Sequence, residues 1–231
     1  MKFNAGVLAF AILACSVSLS AQTTEINHLE IGLNQNKTGN YADALRNFSL
    51  EIEKTAANPN PVAFYNRGFA KYNLKDFQGA ILDFNKALEL KPNYFEAFIA
   101  RGQSYSKQDN HPLAIQDYNE AIRLNPLEGT AYFSRGISKN KLENYRAAIA
   151  DFNKSLELLP DYAPTLAARA DSKSKLGDFT GSIEDYNKAI EITPKRTNYL
   201  SGRAFAKMKI ADFKGALIDF SEVIKLSPEK A

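Results

Sequence analysis

The chain has 231 residues, of which 45% are hydrophobic and 24% charged, a balance that excludes a disordered, collagen-like or wholly membrane-embedded protein. Lysine and arginine (29) against aspartate and glutamate (26) leave +3, too small a surplus for the electrostatic footprint of a nucleic-acid binder. A single cysteine excludes an intramolecular disulfide or a thiolate metal cluster.

Residues 1–21 read as a secretory signal peptide, with Lys2 ahead of an uncharged run from Ala5 to Leu19 and small residues at Ser20 and Ala21. The run is shorter than the roughly 20 residues of a membrane-spanning helix, so cleavage near Ala21 and export to the periplasm or cell exterior are expected. Ile12-Leu13-Ala14-Cys15 offers an alternative, because it resembles the lipobox of bacterial lipoproteins, in which the cysteine is acylated. Leu13 stands where that family usually has a small residue. A membrane is therefore expected as a partner only if Cys15 carries a lipid anchor.

Beyond the leader, the chain is expected to be six copies of one unit, at 25–60, 61–94, 95–128, 129–162, 163–196 and 197–231. Pro92, Pro126, Pro160, Pro194 and Pro228 stand 34 residues apart. The same step aligns Ala80, Ala114, Ala148, Ser182 and Ala216, and also Phe84, Tyr118, Phe152, Tyr186 and Phe220. Gly68, Gly102 and Gly136 continue into Ala170 and Ala204, while Phe77, His111, Tyr145, Phe179 and Phe213 fill a bulky slot. The first copy contains Gly32, Tyr41, Ala44 and Phe48, and a linker about two residues longer joins it to the second. Within 61–94, apolar residues recur at three and four, in Phe64, Gly68 and Tyr72 and then in Ala80, Phe84, Ala87 and Leu88. Two helices are predicted, with a turn at Lys75-Asp76, and Lys91-Pro92-Asn93 ends the second because proline cannot continue it. One hairpin cannot bury both apolar stripes, so neighbours must stack.

Arg67-Gly68 and the run Ala80-Ile81-Leu82-Asp83-Phe84-Asn85-Lys86-Ala87-Leu88-Glu89-Leu90-Lys91-Pro92 resemble the tetratricopeptide repeat family, over about residues 25–231. The resemblance implies an all-α fold, a right-handed superhelical solenoid of helix-turn-helix hairpins, whose inner surface is lined by the first helix of each unit. Departures from the pattern are Ala170 and Ala204 for glycine, Ser182 for alanine, and Lys71, Lys139, Lys173 and Lys207 where the family often has tyrosine. These read as packing detail.

His28 and His111 occupy slots that hold aromatics or leucine in sister copies, so both are expected to pack, not to bind metal. No phosphate loop, nucleophilic triad or paired-ligand motif is present, and neither enzyme activity nor a cofactor is expected. Arg67, Arg101, Arg135, Arg169 and Arg203 recur with Asp83, Asp117, Asp151, Asp185 and Asp219, whereas the first copy has Ile31 and Asn47. Joint absence in one copy predicts that the two pair across a hairpin.

Carried onto this chain, the inner surface implied by the resemblance holds Leu29 and Leu33, then Tyr65, Asn66, Phe69 and Tyr72, then Ile99 and Gln103, then Phe133, Ile137 and Asn140. Such a lining suits a peptide whose side chains rest on Tyr65, Phe69, Phe133 and Ile137 while Asn66 and Asn140 bond its backbone amides. The alternative is that some of these aromatics pack between repeats. The family's carboxylate clamp is not expected, since it needs a lysine where Tyr65, Ile99, Phe133 and Ala167 stand. Lys107, Lys141, Lys175 and Lys209 form a basic stripe at the ends of the first helices, read either as solvated helix ends or as a lure for an acidic ligand. In the last helix, Ile218 replaces Gln116, Ala150 and Glu184, which suggests end-to-end self-association. Together these readings give an exported scaffold or adaptor that binds a protein or peptide partner, with a chaperone-like assembly factor for extended clients as the alternative.

Overall fold

A computed structural model describes residues 27–227; the leader and Cys15 lie outside the described residues. Among the described residues are twelve helices and no strand. They pair as α1 (His28–Lys37) with α2 (Tyr41–Lys54), α3 (Pro61–Asn73) with α4 (Phe77–Leu90), and α5 (Phe95–Lys107) with α6 (His111–Leu124). The series continues as α7 (Gly129–Lys141) with α8 (Tyr145–Leu158), α9 (Ala163–Lys175) with α10 (Phe179–Ile192), and α11 (Thr197–Lys209) with α12 (Phe213–Leu226). None is long and apolar enough to cross a membrane.

Every hairpin turns on one left-handed residue, Gly39, Lys75, Asp109, Glu143, Gly177 or Ala211, with φ from 57° to 84°. The amide after it bonds back into the first helix, as Asp76 N–H does to the Lys71 carbonyl at 2.9 Å, satisfying a carbonyl that the helix end leaves orphaned. In three hairpins an aspartate then caps the second helix: Asp76, Asp178 and Asp212 accept from the amides of Gly79, Gly181 and Gly215, each at 2.9 Å.

Inside each hairpin the helices close on an aromatic ring. Phe48, Phe84 and Phe152 are fully buried and Tyr118 nearly so. A Cβ on Gly68, Gly102 or Gly136 would come within 2.6–2.8 Å of the facing ring, so glycine there sets the helix separation. The fifth hairpin differs. Ala170 takes the glycine's place, and the Tyr186 hydroxyl reaches so close to α11 that a Cβ on Gly202 would lie 2.2 Å from it. The sister places of Gly202 hold Asn66, Ala100, Ser134 and Ala168, all with a Cβ.

The Arg–Asp pairs expected from the sequence are present in all five copies that carry them. In the fourth hairpin Arg135 Nε and Nη2 donate to the two carboxylate oxygens of Asp151 at 2.9 and 2.6 Å. Its remaining amino group donates to Asn119 of the preceding hairpin at 2.7 Å, and the same bond joins Arg101 to Asn85, Arg169 to Asn153 and Arg203 to Asn187. Arg67 uses Ser49 instead, at 3.3 Å. Each arginine therefore closes its own hairpin and clamps it to the one before.

The lysines that looked like packing departures belong to this network: Lys71, Lys139, Lys173 and Lys207 pair with Asp83, Asp151, Asp185 and Asp219 at 2.7–2.9 Å. The third hairpin has Tyr105 in that place, so Asp117 faces one cation only. Burial then prevails over the bond from Arg101 and raises the Asp117 pKa. At Asp219 burial also pushes upward, but the bonds from Arg203 and Lys207 outweigh it and the pKa falls below the ordinary value. The first hairpin replaces the charges with amides: Asn47 donates to Gln35 at 2.9 Å and its carbonyl oxygen meets the His28 ring at 2.9 Å. His28 is thus a hydrogen-bonding member of the hairpin, beyond simple packing.

Between hairpins, each odd-numbered helix touches the next odd-numbered helix, whereas even-numbered helices touch only their odd-numbered neighbours. The odd-numbered helices therefore crowd together along one side, which they line. On α12, which no further described helix covers, Phe213, Leu217 and Ile218 are 66%, 68% and 61% exposed.

Arg135 and Asp151 retain only 17% and 6% of their side-chain exposure, so Arg135→Ala strands a buried carboxylate. It is expected to cost roughly 3–5 kcal/mol, against the 0–1 kcal/mol of an exposed pair. Urea denaturation of a double-mutant cycle with Asp151→Ala should return a large coupling energy; additive losses would show that the pair is not a unit.

Candidate functional site

Four hollows lie in succession along the side formed by the odd-numbered helices. The first is between α1 and α3, where Leu33, Asn36 and Lys37 face Tyr65, Asn66 and Phe69. A second, of about 350 Å³, lies between α5, α6 and α7 and reaches Tyr72 at one end. The third, between α7 and α9, is lined by Ile137, Asn140, Lys141, Ala168, Asp171 and Lys175, among others. The fourth runs between α9 and α11 and is closed by Tyr186 and Phe179 from α10. Residues shared by neighbouring hollows, such as Ile137, Lys141, Asp171 and Lys175, join three of them into one groove.

Nine of the eleven residues named from the sequence border these hollows: Leu33, Tyr65, Asn66, Phe69, Tyr72, Gln103, Phe133, Ile137 and Asn140. Leu29 instead packs against the cluster around Ala44 and Phe48, and Ile99 borders none of them.

The aromatic residues divide into two groups. Phe69 is exposed and meets Tyr41 edge-on at 6.2 Å. Tyr65 is wedged between Phe84 and Tyr94, with ring centroids at 5.9 and 5.0 Å. Phe133 is held in the same way by Phe152 and Tyr162, at 6.2 and 5.3 Å. These two rings pack between repeats as well as bordering the groove, so they fix the wall more than they offer a free surface. Burial raises the pKa of Tyr65, and that of Tyr94 is pushed up to about 12 by burial with the Tyr65 and Glu96 charges.

The amides are partly engaged already. Asn66 donates to the Val62 carbonyl at 2.8 Å, while its own carbonyl accepts from Asn36 at 3.1 Å. The Asn36 side-chain oxygen is buried and has no partner among the described residues. Among the described residues, the Asn66 side-chain oxygen and both ends of the Asn140 amide have no hydrogen-bond partner.

The basic stripe of Lys107, Lys141, Lys175 and Lys209, open in the sequence between solvated helix ends and a lure for an acidic ligand, borders the hollows, and Lys37 joins it in the first copy. Their regular recurrence was visible, but not that the end of each odd-numbered helix turns toward the groove. Asp171 stands in the row of Leu33, Phe69, Gln103, Ile137 and Phe205 and accepts a hydrogen bond from the Tyr186 hydroxyl, a contact that spacing alone does not reveal. Confinement raises the Asp171 pKa although the Tyr186 bond and the Lys175 charge oppose it. Burial and the Asp171 charge raise that of Tyr186 in turn. No group of three or more metal-ligating side chains occurs among the described residues.

Two family models, both described as Tetratricopeptide repeat, match this chain, one at residues 61–94 and 95–126 and the other at 129–162 and 163–196. No curated protein sequence matches it. Among solved structures, PilW, a type IV pilus biogenesis factor, is similar with a TM-score of 0.79 at 16% identity, over 87% of this chain and 92% of PilW. A tetratricopeptide repeat protein from Parabacteroides merdae gives 0.73 at 23% identity, over 86% of this chain and 78% of that one. YrrB, a protein with an unusual peptide-binding site, gives 0.65 at 17% identity, over 78% and 92%. Such identities establish a shared fold, an all-α repeat solenoid.

The raised Asp171 pKa means that the folded chain holds this proton more tightly than the unfolded one, so ionisation opposes folding as pH rises through the folded pKa. Asp171→Asn keeps an acceptor for Tyr186 and removes that cost. It is expected to raise the melting temperature at pH 7 and to give no gain at a pH below the ordinary carboxylate range; a gain independent of pH would assign the effect to something other than ionisation.

Proposed function

Because this chain belongs to the tetratricopeptide repeat family, we propose that it is a non-enzymatic protein-interaction scaffold that holds an extended segment of another protein in the groove of its odd-numbered helices, outside the cytoplasm. The observation that carries this reading is the run of hollows, which follow one another along a single side and alternate apolar surface with amides and lysines. A bound backbone finds acceptors and donors at Asn66 and Asn140, and its apolar side chains find Phe69 and Ile137. Export rests on residues 1–24 alone, by cleavage near Ala21 or by lipidation of Cys15.

The choice of variants follows from the packing. Tyr65 and Phe133 hold repeats together, so replacing them would confuse loss of binding with loss of fold. Phe69→Ser with Ile137→Ser removes groove surface instead, and Leu82→Ser, on exposed α4, serves as control. With residues 22–231 as bait in native extract, a specific partner should be captured by the parent chain and the control and lost with the double variant. Retention by the double variant would move binding off the groove. Capture of many unrelated clients would favour the chaperone-like reading.

The apolar face of α12 favours a second contact, end-to-end association of copies through Phe213, Leu217 and Ile218. Sedimentation velocity should show concentration-dependent oligomers that Leu217→Glu with Ile218→Glu abolishes; a monomer at all concentrations would remove this contact.

A further inference from the structure

Three successive hollows of the groove each carry two helix-end lysines; two of them share Asp171, whereas the one between α5, α6 and α7 lacks it and holds His111 instead. Its two long walls carry Lys107 and Lys141, one from each odd-numbered helix. Neither is in an ion pair among the described residues, whereas Lys71, Lys139, Lys173 and Lys207 are all committed to buried aspartates. The lining also includes Gln103, Ser134, Tyr118 and Ser106, whose hydroxyl shares a hydrogen bond with that of Ser138 at 2.9 Å. The one acid on the rim is Asp109, whose side chain is almost fully exposed and stands 3.9 Å from His111 Nε2.

An independent observation points the same way. His111 occupies the slot that Tyr41, Phe77, Tyr145, Phe179 and Phe213 fill with aromatic rings in the other hairpins. It lines this hollow at 8% exposure, and its Nδ1 is buried without a hydrogen-bond partner. An imidazole has replaced the phenylalanine or tyrosine of the sister hairpins, and among the described residues nothing bonds its Nδ1. The remaining wall is apolar, from Tyr72, Phe133 and Ile137.

We propose that this hollow is a subsite for an acidic residue of the bound segment, its carboxylate seated between Lys107 and Lys141 and its methylene stem lying on Phe133 and Ile137. The inference deepens the groove reading above and rests on it. The size is suitable, since about 350 Å³ exceeds the volume of a single side chain and leaves room for a flanking apolar residue. Two flexible ammonium groups on opposite walls suit a carboxylate better than an amide of the same shape, because a charge-assisted bond is about twice as strong as a neutral one. Their exposed ends make the attraction sensitive to salt.

The test uses residues 22–231 and three blocked heptapeptides, Ser-Gly-Leu-X-Leu-Gly-Ser, with glutamate, glutamine or phosphoserine at X. Binding is followed by amide chemical shifts along the odd-numbered helices at low and at high salt. The glutamate peptide is expected to shift Ser106 and Ser134 and to bind about ten-fold more tightly than the glutamine peptide at low salt, a preference that shrinks as salt is added. Lys107→Gln with Lys141→Gln should abolish the preference, and His111→Phe, which restores the sister residue, should weaken it. Lys154→Gln, an exposed lysine of α8 that lines none of these hollows, should leave it intact.

Equal binding of the glutamate and glutamine peptides would overturn the subsite while leaving the groove reading standing. Tighter binding of phosphoserine through the same lysines would overturn the carboxylate assignment in favour of a phosphorylated residue. Absence of any shift along the odd-numbered helices with all three peptides would overturn the subsite and the groove reading together. A circular dichroism spectrum matching the parent chain shows that each variant has kept its helices.

Discussion

The structure depends on one side chain repeated five times, an arginine that grips the aspartate of its own hairpin with two nitrogens and an amide or hydroxyl of the preceding hairpin with a third. A planar guanidinium suits this task because its donors point in fixed directions, whereas a lysine would supply a point charge. The first two bonds set how the helices of one hairpin cross; the last sets how far one hairpin slides along the next. Apolar stacking alone drives hairpins together without specifying register, since Ala, Leu and Phe surfaces tolerate small displacements. The directional bond removes that freedom at every junction, and no contact need reach beyond the nearest neighbour.

From that register the groove follows. Because each arginine sits midway along an odd-numbered helix, clamping it aligns every odd-numbered helix with the one before. Residues at equal places then form continuous rows, such as Leu33, Phe69, Gln103, Ile137, Asp171 and Phe205. Scaffold positions vary little from copy to copy, while these rows change in size, polarity and charge. The division is not complete. Tyr65 and Phe133 belong to both sets, each closing a junction with a ring from the next turn while bordering the groove.

Most of the architecture was legible because it is periodic. The prolines 34 residues apart, the alternating small and aromatic slots and the joint loss of Arg and Asp in the first copy led to hairpins, stacking and the internal ion pair. What stayed hidden lies across junctions or depends on direction. Asn85, Asn119, Asn153 and Asn187 recur as regularly as the arginines, but nothing in the spacing says that each serves the following copy. Lys71 and Lys107 sit near one another in a repeat's pattern, yet one turns inward to an aspartate and the other borders the groove. Period gives the place of a residue on a helix; the neighbour it meets depends on the next helix, which the pattern of one copy does not contain.

Deviations from the repeat therefore carry more information when they occur in sets. In the fifth hairpin, Ala170 replaces glycine, Tyr186 carries a hydroxyl, Asp171 accepts it, and Gly202 on the following helix makes room. Alanine at the crossing recurs as Ala204 and a tyrosine ring as Tyr118, but only here do they come with a carboxylate in the row and a glycine on the following helix. Taken together they describe one substitution of packing, in which the need for a missing Cβ has moved from one helix to the next. The third hairpin shows a second set, where Tyr105 takes the place of a lysine and His111 that of an aromatic ring. The first set reaches the groove at Asp171, Tyr186 and Gly202 and the second at His111, and the arginine clamps on either side are intact. A register held by directional bonds at every junction is what allows the surface between them to change without disturbing the stack.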